Sequence, residues 1–144
     1  MPKRTGLTVH AVAAAALALL DAEGLDGVTM RRVAAALDVS PMTLYSYVAD
    51  REALLDEVAQ LVYTQITPPT GSAGPRETLH ELMHSVRDVL LTHPHALGLV
   101  SQYPPRTLEG LAFVESGYAA LRRAGVPPLD VARSYRALAA YPPR

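Results

Sequence analysis

Residues 29–51, TMRRVAAALDVSPMTLYSYVADR, decide the fold. In the first half of this stretch, apolar side chains recur at helical spacing at Met30, Val33, Ala34 and Leu37. Thr29 stands directly before them, where a threonine hydroxyl accepts a hydrogen bond from an unpaired backbone N–H of the first turn. The pattern therefore predicts a helix that begins after Thr29 and ends near Asp38.

A second helix is predicted directly after this one. Ser40 has the residue type of an N-cap, and Pro41 suits a first helical turn because the N–H that proline lacks has no partner there. About three or four residues remain between the two helices, which is the length of a helix-turn-helix connection. Val39 is the apolar residue of this turn. Leu44 and Val48, four residues apart, are placed to hold the second helix on the first.

The outward side of the second helix is unusual for a packing surface. It presents hydroxyls, a thioether methyl group and aromatic rings, from Pro41, Met42, Thr43, Tyr45 and Tyr47. Side chains of these kinds hydrogen-bond to base edges and phosphates or contact thymine methyl groups in DNA. The second helix is therefore predicted to be a recognition helix that enters a DNA groove.

The segment 28–58, VTMRRVAAALDVSPMTLYSYVADREALLDEV, resembles the DNA-binding domain of the tetracycline-repressor (TetR) family of bacterial transcription regulators. The resemblance rests on the connection from Gly24 to Thr29, the R-x-V-A-x-x-L-D-V-S helix and turn, the T-L-Y-x-Y-V helix, and the start of a fourth helix at Asp50. It covers residues 7–66. After residue 75 the chain is similar only to the general helical, ligand-binding half of the family.

The resemblance implies an all-α fold in two parts. Residues 1–66 would form the helix-turn-helix DNA-binding domain, and residues 76–144 a helical regulatory domain for ligand binding and dimerisation. The proline- and glycine-rich stretch PPTGSAGP, 68–75, marks the boundary. Apolar spacing predicts the later helices over 76–92, 95–102, 106–124 and 129–140. Family members dimerise through two late helices, of which this chain is expected to hold the first at most, so the second domain is expected to be incomplete.

The resemblance also implies which residues meet DNA. The family's contacts fall on Thr29, Arg31, Ser40, Pro41, Met42, Thr43, Tyr45, Tyr47 and Arg51. Residues of the recognition helix would meet base edges and adjacent phosphates, whereas Tyr47 and Arg51 would bind backbone phosphate. Lys3 and Arg4 would enter a neighbouring minor groove, as basic arms do. The alternative is that the tyrosines are half-buried packing residues and the arginines are solvated.

Several large side chains of the second part are candidates for lining an apolar effector cavity. They are Met83, Leu99, Tyr103, Phe113, Tyr118 and Tyr135. An ordinary hydrophobic core is the favoured interpretation of the same residues. Nothing in the sequence identifies a ligand.

Composition limits the class of protein. A 49% share of hydrophobic residues is enough to fill a core, and the absence of cysteine excludes disulfides and thiolate metal sites. The short apolar run from Val12 to Leu20 is amphipathic, so no membrane anchor or signal peptide is expected and the cytoplasm is the predicted location. Charge weighs slightly against DNA binding, because residues 1–66 hold five basic and eight acidic residues, a difference of −3. Tight binding would then need a dimer.

The histidines suggest an alternative to DNA binding, namely a metal site. His80-Glu81-Leu82-Met83-His84 spells H-E-x-x-H, a zinc-protease pattern. Such an enzyme needs a third ligand and a larger fold with a substrate cleft, so a packed or solvated histidine pair is favoured. His93 and His95 flank Pro94 at a helix end, where a cationic imidazole suits the helix dipole. Neither an enzymatic activity nor a metal or other cofactor is predicted.

Together these features predict a transcription regulator, a repressor, that binds a palindromic operator in double-stranded DNA as a homodimer. By resemblance, a small-molecule effector would release it from the operator. The alternative is a shortened helical interaction module that pairs with a full-length family member without binding DNA itself. A small zinc hydrolase built on His80 and His84 is the third hypothesis.

Overall fold

The computed structural model describes residues 6–70 and 74–140, and within these ranges the only regular structure is helical. The all-α prediction is thereby confirmed. The described helices are α1 (Val9–Glu23), α2 (Met30–Ala36), α3 (Pro41–Leu44), α4 (Arg51–Thr64), α5 (Pro75–Thr92), α6 (Leu97–Gln102), α7 (Leu108–Arg123) and α8 (Pro128–Ala140). No described helix is long and apolar enough to cross a membrane.

Hydroxyl side chains begin four of the helices. Thr8 Oγ1 accepts from Ala11 N at 3.0 Å, and Thr107 Oγ1 accepts from Gly110 N at 3.1 Å. The caps predicted at Thr29 and Ser40 are confirmed in the same way. Each cap satisfies a backbone N–H that would otherwise lack a partner inside the helix, and this fixes where the helix begins.

The chain divides into two compact units. The first unit contains the residues up to Val62 together with His93–Pro104. Its core is formed by apolar residues of α1, α2, α3 and α4, among which Leu20, Leu44 and Leu54 are fully buried. The second unit contains Tyr63–Thr92 and the residues from Pro105 onward.

In the second unit, α7 packs against both α5 and α8. Gly117 lies where α7 meets Tyr135 of α8 and Leu82 of α5. A β-carbon on Gly117 would come within 2.2 Å of Tyr135 Cε2 and 3.1 Å of Leu82 Cδ2. The missing side chain at this position is therefore what allows the tyrosine ring to pack against the helix backbone.

Candidate nucleic-acid interface

A capping hydrogen bond and two buried apolar residues position the second helix of the helix-turn-helix. Ser40 Oγ accepts from Thr43 N at 3.2 Å and begins α3, while Leu44 and Val48 are 0% and 5% exposed beneath it. The turn before α3 contains Asp38 with φ 53°, a left-handed conformation that aspartate tolerates better than most residues. The recognition helix is shorter than its sequence pattern suggests, because regular α-helix ends at Leu44 and hydrogen-bonded turns continue to Val48.

The structure places most of the predicted base-reading residues on one exposed surface. Pro41 and Thr43 are exposed, and Met42 and Tyr45 keep 76% and 47% of their surface in solvent. Tyr47 is half-buried. An exposed methionine and tyrosine beside a buried leucine make a face whose apolar and hydrogen-bonding groups are available to a partner.

The hydroxyls of Thr29, Ser40 and Thr43, three of the predicted DNA-contact residues, already have roles within the protein. Thr29 Oγ1 caps α2 by accepting from Arg32 N at 3.3 Å. Ser40 Oγ caps α3 and lies 2.9 Å from Thr43 Oγ1. Since a hydroxyl can donate one bond and accept two, these contacts orient the hydroxyls and leave capacity for a phosphate or base.

Arg51 has a structural role that differs from the predicted phosphate contact. Its Nε donates to Val28 O at 2.8 Å, and a terminal nitrogen donates to Leu25 O at 2.9 Å. The guanidinium therefore ties the start of α4 to the connection between α1 and α2. By contrast, the side chain of Arg31 is exposed and makes no hydrogen bond or ion pair with residues 6–70 or 74–140.

A second bracing arginine was not singled out from the sequence. Arg32 forms a two-pronged ion pair with Glu23 at the end of α1. Its hydrogen bonds hold the pKa of Glu23 below its usual value and raise that of Arg32. Both side chains are nearly half exposed, so this pair orients α2 more than it stabilises the fold. The predicted arm residues Lys3 and Arg4 lie outside the described residues.

The segment His93–Pro104 docks on the helices that carry the interface. His93 Nδ1 lies 2.7 Å from Asp21 Oδ2, and His95 Nδ1 lies 2.8 Å from the Leu20 carbonyl, both in α1. Both histidines therefore contact α1 in addition to lying near the end of α5. No local pattern in the sequence indicates these contacts, since the partners are more than seventy positions apart.

The same segment also contacts α4. Gln60 Nε2 donates to Pro104 O at 3.1 Å, and the Tyr103 hydroxyl donates to the Glu52 carboxylate. The hydrogen bond to Glu52 is the main cause that raises the pKa of Tyr103 to about 12. Within the first unit, His93–Pro104 therefore contacts both α1 and α4.

The six predicted pocket residues are divided between the two units. Leu99 and Tyr103 belong to the first unit, and the other four belong to the second. There, Phe113 stacks on Tyr63 with ring centroids 5.7 Å apart, and Tyr118 meets the edge of Tyr135 at 5.1 Å. Burial raises the pKa of Tyr135. Phe113 and Tyr135 are buried by these contacts.

His80 and His84 lie side by side on α5, with their Nε2 atoms 3.0 Å apart. Within the described residues, no third histidine, cysteine or carboxylate joins them in a metal-binding group. The third ligand that a zinc hydrolase needs is therefore lacking in this part of the chain.

Two family models match the chain. The model described as "Bacterial regulatory proteins, tetR family" matches residues 12–58, and the model described as "Tetracyclin repressor-like, C-terminal domain" matches residues 67–141. The second match covers more than half of the chain.

Individual relatives agree with these models. An HTH-type transcriptional regulator of Saccharopolyspora erythraea is 34% identical over 137 residues, which is 94% of this chain and 58% of the relative. Streptomyces coelicolor ActR, solved in complex with actinorhodin, has 31% identity and a TM-score of 0.84, covering 94% of this chain and 64% of that one. BioQ, solved with its double-stranded DNA operator, has 34% identity and a TM-score of 0.78, covering 94% and 82%. The chain spans about half the length of the curated relatives it matches.

Proposed function

Because this chain belongs to the tetracycline-repressor family of bacterial transcription regulators, we propose that it is a repressor that binds a palindromic operator in double-stranded DNA. The relatives it matches are regulators and not enzymes. It would act as a homodimer in the bacterial cytoplasm, where each protomer reads one half-site. Two interfaces related by a two-fold axis require an operator with matching symmetry.

The exposed face of α3 is the observation that carries this proposal. Leu44 is fully buried while Met42, two residues before it, is 76% exposed. This division fixes which side of the short helix points outward. We assign base reading to Pro41, Met42, Thr43 and Tyr45, with Thr29, Arg31, Ser40 and Tyr47 as the contacts to phosphate or flanking bases.

Arg51 enters this proposal differently from the other eight positions. Two of its donors are already bonded to backbone carbonyls, and a guanidinium has five N–H groups in all. A phosphate contact through the remaining donors would then be secondary. We propose that its main contribution to DNA binding is to hold α4 and the connection before α2 in place.

An effector response is the second part of the proposal. ActR has been solved with actinorhodin and BioQ with its operator, so proteins of this fold bind both kinds of partner. A ligand releases DNA only if it binds the released conformation more tightly than the DNA-bound one. We propose Met83, Phe113, Tyr118 and Tyr135, which all belong to the second unit, as its contacts.

The segment His93–Pro104 is suited to transmit such a response. Its contacts with Asp21, Glu52 and Gln60 reach both α1 and α4 of the interface unit. A displacement of this segment would therefore change the support of α3 without any ligand touching the recognition helix.

The test is operator selection from a pool of random duplex DNA, combined with sedimentation of the protein with and without the selected sequence. We expect a palindrome, a dimer on the DNA, and a loss of at least tenfold in affinity for Tyr45→Ala. The matched control is Tyr63→Phe, which changes a buried tyrosine of the second unit. A monomer that selects no sequence would overturn the proposal in favour of the interaction module, which the comparisons do not support.

A further inference from the structure

The histidine pair on α5 brings two ring nitrogens close together. His80 is exposed and His84 is half-buried, and their Nε2 atoms lie 3.0 Å apart in a hydrogen bond between the two rings, whose centroids are 4.1 Å apart. A metal ion bound by both nitrogens would take the place of the proton that they share. Both rings belong to an 18-residue helix that holds positions i and i+4 on one side. Neither residue takes part in the DNA-binding function proposed above.

We propose that His80 and His84 together bind one divalent transition-metal ion through their Nε2 atoms, in a site that is not catalytic. Imidazole nitrogen lies about 2.0–2.1 Å from such an ion. At that bond length, two ligands at right angles have nitrogens roughly 2.9 Å apart, and two tetrahedral ligands have nitrogens roughly 3.3 Å apart. The observed 3.0 Å is close to the right-angled arrangement.

The separation also indicates which ions the site prefers. Right-angled pairs of nitrogen ligands occur in the square-planar and tetragonal sites of Cu²⁺ and Ni²⁺, whereas Zn²⁺ takes tetrahedral sites. Divalent copper is also the tightest binder in the general order of affinities for nitrogen ligands. The expected order of affinity is therefore Cu²⁺, then Ni²⁺, with Zn²⁺ weaker because the pair must open to hold it.

Space for the remaining ligands is present beside the pair. A cavity of about 590 Å³ is lined by His80 and His84 together with Gln65, Thr67, Glu81, Ser85, Asp88 and Val89. Thr67 N donates to Ser85 Oγ at 2.8 Å, which fixes this wall of the cavity against α5. Since no third histidine or carboxylate completes a metal-binding group in the described residues, water would complete the coordination.

The test is calorimetric titration of the untagged chain with CuCl₂, NiCl₂ and ZnCl₂, in a buffer that does not chelate metals. We expect one Cu²⁺ or Ni²⁺ per chain, a higher melting temperature with the metal, and weaker binding of Zn²⁺. His80→Gln and His84→Gln should each weaken Ni²⁺ binding at least tenfold, because each leaves a single imidazole. His10→Gln, at an exposed position of α1, is the matched control and should bind like the wild type.

Two outcomes would overturn the inference. One is a wild-type chain that binds none of the three ions. The other is Ni²⁺ binding that both histidine variants retain at full affinity. Circular dichroism of each variant shows that α5 remains folded, and Cu²⁺-induced broadening of the His80 and His84 ring proton signals locates the ion independently of the variants. DNA selection by these variants should be unchanged in the absence of metal, so the test is separate from that of the proposed function.

Discussion

The two compact units use their helices in different ways. In the first unit, the short helices α2 and α3 begin at hydroxyl caps. Leu44 is buried on the inward side of α3, and the outward side of this helix stays available to a partner. In the second unit, Tyr118 of α7 packs against Tyr135 of α8, and Gly117 of α7 lies against both Tyr135 and Leu82 of α5. The exposed face of α3 is thus formed by residues that take no part in the core. The second unit depends on contacts between residues of different helices.

The largest difference is expected between alanine substitutions on the inward and outward sides of α3. Leu44→Ala removes a fully buried side chain and should cost about 2–5 kcal/mol of the free energy of unfolding. Met42→Ala, on the exposed side, should change stability by no more than about 0.5 kcal/mol and still weaken operator binding. Urea unfolding and DNA titration measure the two effects. Equal stability losses for both variants would show that the two sides of α3 do not differ.

The second unit can be tested at its closest contact. Gly117→Ala places a β-carbon 2.2 Å from Tyr135 Cε2, so either α8 or the ring must move. We expect a loss near the upper end of the 1–3 kcal/mol typical of overpacked cores, or about 3 kcal/mol. The control is Gly98→Ala in α6, where the new carbon would meet no atom within 4 Å apart from its chain neighbours and the helix's own backbone, and a gain of about 0.5–1 kcal/mol is expected.

Urea unfolding of both glycine variants gives the free energies, and hydrogen exchange shows where protection is lost. In Gly117→Ala, faster exchange should begin in α7 and α8. If exchange instead rises first in α2 and α3, the long-range contact would not be what holds the second unit.

Within the first unit, Arg51 and Arg31 are expected to differ in role, because Arg51 stabilises the fold and Arg31 is available to bind DNA. Arg51→Met keeps an apolar stem but removes the hydrogen bonds to Val28 O and Leu25 O, which should cost about 1–2 kcal/mol. Arg31→Met should leave stability unchanged. If Arg31 contacts a phosphate, its loss reduces the slope of log affinity against log salt by about 0.9. The reverse pattern, with Arg51 altering only the salt slope, would restore the phosphate role predicted for it.

The smallest expected effect concerns the contact between Tyr103 and Glu52. The carboxylate raises the pKa of the folded tyrosine from 10.0 to about 12. Stability from this source is therefore complete below pH 10 and is lost as the pH rises from 10 to 12, because the unfolded chain ionises first. Tyr103→Phe should show a flatter decline in the free energy of unfolding over this range. Glu52→Gln should flatten it as well, and a wild-type slope in both variants would contradict the assignment.

Much of the first unit was predictable because its signals are local. A capping side chain accepts from an N–H three residues away, and Leu44 and Val48 are one helical turn apart. A short stretch of sequence is therefore enough to predict the caps and the burial of these two residues. The later helices were also located to within a few residues from their apolar spacing. Spacing along one helix does not reveal which other helix covers it, and for this reason the contacts of His93–Pro104 with α1 and α4 could not be predicted from the sequence.

Residue type and spacing within one or two helical turns predicted the all-α class and the exposed face of α3, and the resemblance of residues 28–58 indicated the family. The partners of Arg51 follow from tertiary packing alone, because they are backbone carbonyls 23 and 26 positions away. Tertiary packing alone also places His93 beside Asp21, 72 positions apart. Every residue has a backbone carbonyl, so the residue type does not show which carbonyl will accept a hydrogen bond. A contact across so many positions depends on how the helices pack. Helical periodicity therefore indicates which residues are buried, and tertiary packing determines what each of them contacts.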